Sequence, residues 1–73
     1  MQPALLVDVP TAIAANGSDW VNTAPEGRVA HLGLTGQVGF VQVGDVVAYA
    51  EHLDGDPVAW IDGHWEPVVL TVA

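Results

Sequence analysis

From Gly27 onward the chain repeats one figure, short runs of β-branched and apolar residues cut at close intervals by Gly and Asp. The runs predict strands near residues 28–34, 37–43, 45–52, 57–61 and 64–71. The punctuation predicts what joins them: turns at Thr35-Gly36 and Gly44-Asp45, a three-residue loop at Asp54-Gly55-Asp56, and a tight hairpin at Asp62-Gly63. The last is the sharpest signal. Both central residues of a type I′ turn need positive φ, which Gly tolerates and Asp accepts. In that register Ile61 faces His64, Trp60 faces Trp65 and Ala59 faces Glu66, so two indoles stand opposite each other on one face. Such a pair stabilises a sheet by about 0.2–1 kcal/mol relative to alanines. The expected fold is all-β, a small antiparallel meander or partly open barrel of about five strands spanning residues 26–73.

Residues 1–25 follow no such rhythm. Pro3, Pro10, the Asn16-Gly17-Ser18 cluster and Pro25 interrupt them, and "PTAIAA" has room for a single helical turn. The segment reads as an extended N-terminal arm. It still carries Leu5, Leu6, Val7, Val9, Ile13, Trp20 and Val21, too much apolar surface to leave in water. One expectation is that "ALLVDV" adds a strand to a neighbouring subunit's sheet, with Trp20 as an anchor. The other is that "ALLVDV" is the first strand of this chain's own barrel.

The strand at 45–52 sharpens the question of neighbours. One face carries Val46, Ala48, Ala50 and His52, the other Val47, Tyr49 and Glu51, so both are partly apolar. A free sheet of this size has little with which to cover both faces, which points to contact with another chain and to self-association. Length points the same way, because a chain of 73 residues buries only about 60% of the surface it exposes when unfolded. There is no Cys to supply a disulfide or a thiolate metal site. Leu5, Leu6, Val7, Trp20, Tyr49, Trp60 and Trp65 are the candidate interface residues, with Asp62 and Gly63 as the turn that positions the tryptophans.

Charge narrows the partners. Nine acidic residues stand against the single Arg28, a net charge of −8 with neutral histidines. Direct binding to nucleic acid is not expected, since phosphate neutralisation needs Lys and Arg. A DNA mimic would want its carboxylates in blocks, and here they are dispersed. No run approaches the ~20 apolar residues of a membrane span. The N-terminal "MQPALLVDVP" lacks a basic stretch and is broken by prolines, so a secretory signal is not expected and the chain reads as made without export.

Candidate chemistry is thin. Asp54, Asp56, Asp62 and Glu66 are the carboxylates available for acid–base work, but all fall in turns or at strand edges where solvated carboxylates are ordinary. His31, His52 and His64 follow no metal-ligand spacing. Asp54-Gly55-Asp56 lacks the further acidic ligands of a calcium loop, and the Asn16-Gly17-Ser18 glycosylation pattern has no signal sequence ahead of it. An enzyme, a metal site and a cofactor are not expected.

Residues 44–70, "GDVVAYAEHLDGDPVAWIDGHWEPVVL", resemble the short β-modules of tailed-bacteriophage structural proteins. In those modules a Gly-Asp-Val-Val-Tyr type strand is followed by a turn and a Trp-Asp-Gly-x-x-Trp hairpin. "APEG" at 24–27 is similar to the Ala-x-Glu-Gly that precedes such strands. Here the Asp-Gly is displaced by one, within an unchanged Trp60-to-Trp65 span. The resemblance implies a virion structural protein without catalysis, assembled in the host cytoplasm and bound to a capsid or tail protein. Standing alone behind an arm, the module fits a capsid decoration or minor capsid protein better than a tail-associated one. The competing class is a free-standing SH3-like peptide-binding or inhibitory module with an aromatic groove.

Overall fold

Each of the three hairpins that follow residue 43 is closed by a two-residue turn, and together these turns set the register of the molecule. The computed structural model describes residues 1–24 and 34–71. Five strands, β1 (Gln2–Val7), β2 (Leu34–Val43), β3 (Val46–Leu53), β4 (Asp56–Ile61) and β5 (His64–Thr71), form a closed barrel in sequence order. Two short helices, α1 (Val9–Asn16) and α2 (Ser18–Thr23), follow β1.

Asp62-Gly63 is the expected type I′ turn, with φ of 52° and 79°, and the register is the anticipated one: Ile61↔His64, Trp60↔Trp65 and Ala59↔Glu66. Gly44-Asp45 joins β2 to β3 with positive φ at Gly44 alone, as a type II′ turn requires. The expected three-residue loop at 54–56 is corrected. Asp54 and Gly55 both have positive φ, at 53° and 88°, and Leu53 pairs directly with Asp56, so this too is a two-residue turn. The expected turn at Thr35-Gly36 is also corrected, because β2 runs straight through it. Its ladder with β3 slips between Leu34 and Gly36 and again between Gln37 and Gly39. Bulges bend a strand and increase its twist, which a long strand needs to wrap a small barrel. Gly39, at φ 119°, accepts a backbone that other residues rarely adopt. Most of the strand expected at 28–34 lies outside the described residues.

The larger correction concerns the N-terminus. Rather than an arm, residues 2–7 are the strand that closes the barrel, pairing antiparallel with β2 (Leu5↔Gln42, Leu6↔Val41, Val7↔Phe40) and parallel with β5 (Gln2↔Val68 through Leu5↔Thr71). The parallel closure follows from parity: strands that alternate in direction bring the first and fifth into the same direction. Thr71 adds a side-chain link, its hydroxyl donating to the Ala4 carbonyl at 3.2 Å. β1 is thus paired with β2 over Leu5–Val7 and with β5 over Gln2–Leu5, within this chain's own barrel.

The single helical turn expected from "PTAIAA" is a two-turn helix. Asp8 caps it, its carboxylate accepting from the Thr11 N–H at 2.9 Å. Hydrogen bonding from Thr11 holds the Asp8 carboxyl below its ordinary value. Gly17 ends α1, donating its N–H to the Ile13 carbonyl at 2.7 Å, and its own carbonyl opens α2 by accepting from Val21.

The core is built from small side chains. Ala4, Val41, Val43, Ala48, Ala50, Ala59 and Val68 fill the barrel, with Val38, Ile61 and Leu70 packed against them. Four alanines in that set match the narrow interior left by five strands. Both faces of β3 are buried, as its sequence demanded, but within one chain: Ala48 and Ala50 point into the core, while Val47, Tyr49 and Glu51 are covered on the outside. Part of that cover is helical, since Asn16 donates its side-chain amide to the Val47 carbonyl at 2.7 Å and α2 brings Trp20 onto Phe40. The two-faced strand is therefore no argument for a second chain.

Candidate interaction surface

Four of the five aromatic residues of the chain lie in one row. The ladder pairs Phe40 with Tyr49, Tyr49 with Trp60 and Trp60 with Trp65, so a single cross-strand line runs over β2, β3, β4 and β5. Val7 extends it onto β1 through its pairing with Phe40. Ring centroids are 5.8 Å apart for Phe40 and Tyr49 and 5.1 Å for Trp60 and Trp65, both edge-to-face. That geometry suits the ring quadrupoles. Trp20 packs on the Phe40 end at 5.4 Å.

Burial is uneven along the row. Tyr49 is 3% exposed, and its hydroxyl donates to the Glu51 carboxylate at 2.8 Å. Glu51 is itself buried, the one charged residue in the interior of the described chain. A buried carboxylate is retained when hydrogen bonds replace its water, and Tyr49 provides one. Tyr49 is thus withdrawn from the candidate interface residues, because in the folded protein it has no surface to offer. Trp20 changes role as well: it anchors its own helix to its own barrel. Leu5 and Val7 are half-buried within the closed ladder and Leu6 is partly exposed, so these three have no extended arm to present them. Trp60 and Trp65 are half-buried on the outside of the β4–β5 hairpin, with part of each ring accessible.

The carboxylates and histidines are spread over the molecule. Asp54 and Asp62 sit in turns, Asp56 opens β4, and all three are exposed. His64 contacts Glu66 at 2.9 Å along β5, and its second ring nitrogen lies 3.3 Å from the Asp62 carbonyl. The Glu66 hydrogen bond, helped by that carbonyl, raises the His64 pKa above its ordinary value. His52 is half-buried on β3, and His31 lies outside the described residues. Among the described residues no group of three or more His, Cys, Asp or Glu is placed to hold a metal, and no helix is long and apolar enough to cross a membrane.

One feature was missed from the sequence. Between the start of β4 and the end of β5 lies a concavity of about 490 Å³, walled by Leu53, Val58 and Leu70 with Asp54, Asp56 and Val69 among its lining. The β4–β5 ladder ends at Val58↔Pro67; the next residue of β4 in the register is Pro57, which has no N–H to donate toward β5. Pro57 was the available signal, and reading it required the register that sets Pro67 opposite Val58.

The described surface thus combines partly accessible aromatic rings, a groove and a majority of acidic side chains. Comparison with family models, with curated proteins and with solved structures found no match to this chain.

Proposed function

We propose that this chain is a non-catalytic structural component of a tailed-phage particle, of the capsid-decoration type, attached to a capsid or tail protein through the outer face of its barrel. The observation that carries the reading is the partly accessible Trp60–Trp65 pair, packed edge-to-face at 5.1 Å on the outside of the β4–β5 hairpin. Interface anchors are typically aromatic side chains whose rotamers are already locked, because little entropy is then lost on docking. The sequence adds support through the resemblance of residues 44–70 to phage structural modules. Since β1 belongs to the barrel, attachment falls to the barrel surface and not to an N-terminal arm.

A net charge of −8 favours a basic partner over self-association, and contact with such a partner weakens as salt rises. The test is a mass-spectrometric count of this chain per purified particle, for the native sequence and for Trp60→Ala. A decoration protein is present in tens to hundreds of copies, in keeping with lattice symmetry, and the substitution is expected to strip most of them. A chain absent from particles contradicts the proposal.

A further inference from the structure

We propose that the concavity between β4 and β5 is a docking groove for an extended segment of a partner protein that presents an apolar side chain flanked by Lys or Arg. This rests on the reading of the chain as an attachment module and says what chemistry the attached segment has. The volume of about 490 Å³ falls within the range of formed ligand sites and accommodates a large side chain with part of its backbone.

Two properties select the occupant. Leu53, Val58 and Leu70 give the walls an apolar character that favours a buried hydrocarbon side chain. Asp54 and Asp56, both exposed, place two carboxylates at the mouth, and Asp54 is held there by the fixed geometry of its type I′ turn. Charge complementarity therefore asks for cations beside the apolar group. A second copy of this chain brings like charge, and a nucleic acid brings phosphates; both are repelled at this mouth. Two apolar residues at the groove, Met1 and Val69, are 87% and 47% exposed, so the lip has apolar area to cover. Beyond Pro67, β5 continues to Thr71 with β1 as its partner on one side, while on the other its ladder with β4 has ended. The space left there suits an extended backbone.

The test uses the full chain and a fluorescein-labelled synthetic peptide alternating Lys and Leu, followed by fluorescence anisotropy. The peptide is expected to bind, more weakly at high salt. Asp54→Asn combined with Asp56→Asn lowers affinity about tenfold, as loss of complementary charge at the mouth of a site does; Asn is tolerated at positive φ. Val69→Lys abolishes binding by placing a cation on the lip. Val46→Lys, an equally exposed position at the other end of β3, leaves it unchanged, and circular dichroism melts verify that every variant is folded. Absence of binding at millimolar peptide overturns the proposal. So does equal binding of a peptide with Ser in place of Leu, or an equal loss in Val46→Lys. Particle counts separate this inference from the one beneath it: Val69→Lys chains retained at native copy number overturn the groove alone, whereas a native chain missing from particles overturns the structural role.

Discussion

The β4–β5 hairpin and the first 24 residues are both held to the same barrel, yet they are specified by different kinds of information. The hairpin is written locally. Asp62-Gly63 determines the turn, the turn determines that Trp60 meets Trp65, and the structure has that register. The N-terminal segment contains an equally regular strand, but nothing within it says what it pairs with. Its partners, Phe40 to Gln42 and Val68 to Thr71, are dozens of residues away. A segment of this kind looks like a free arm until the remainder of the barrel exists to receive it. The comparison separates propensity, which is local, from closure, which is a property of the whole sheet.

The largest expected effect comes from removing the closing strand. Deleting residues 2–7 takes away two ladders and the buried Ala4 together. In a domain whose core supplies only about 3–5 kcal/mol, that loss is expected to abolish the cooperative thermal transition. A truncated chain that still melts sharply would return the N-terminus to the status of an arm.

Next in size is Gly63→Val, directed at the hairpin. A Cβ at Gly63 meets nothing within 4 Å, but φ is +79°, so the cost is one of backbone conformation alone, about 1–2 kcal/mol. Chemical denaturation is the measurement, with a lower midpoint and an unchanged slope as the expected result.

A smaller effect joins the two regions. Trp20 from α2 and Phe40 from β2 are packed at 5.4 Å, and a double-mutant cycle with alanine at each position is expected to give a coupling of about 0.5–1.5 kcal/mol. Zero coupling would mean that α2 rests on the barrel without contributing to it.

The smallest effect is one of pH. The His64 pKa is raised in the folded state by Glu66 and the Asp62 carbonyl. The contribution of this contact is therefore fully present below the unfolded histidine value of 6.5 and is lost as pH rises through the higher folded value. Both partners are largely solvated, so the change in stability is slight. Titration of the His64 ring by NMR is expected to give an elevated midpoint that falls in Glu66→Gln.

How far the sequence could be read follows from the same division. The strands at 45–52, 57–61 and 64–71 were legible to within a residue or so because turns with positive-φ residues delimit them. Thr35-Gly36 misled because Gly signals a bulge as readily as a turn, and the choice depends on the curvature the closed barrel demands. Of the candidate interface, Trp60 and Trp65 could be placed on one face from the hairpin alone. Tyr49 could not be recognised as buried, since its cover is formed by other elements of the sheet and chain. Glu51 gave a partial signal: two residues from Tyr49, it shares a face with that hydroxyl. The groove lies where the β4–β5 ladder stops, which the register alone reveals.

Amide hydrogen exchange on the intact chain, resolved residue by residue by NMR, tests most directly the claim that the N-terminal strand closes the barrel. The amides of Ala4, Leu5 and Leu6 in β1 are expected to exchange as slowly as those of Ala48 and Ala50 in β3, since all open only with the whole sheet. Exchange at unprotected rates in β1, beside a protected β3, would contradict it.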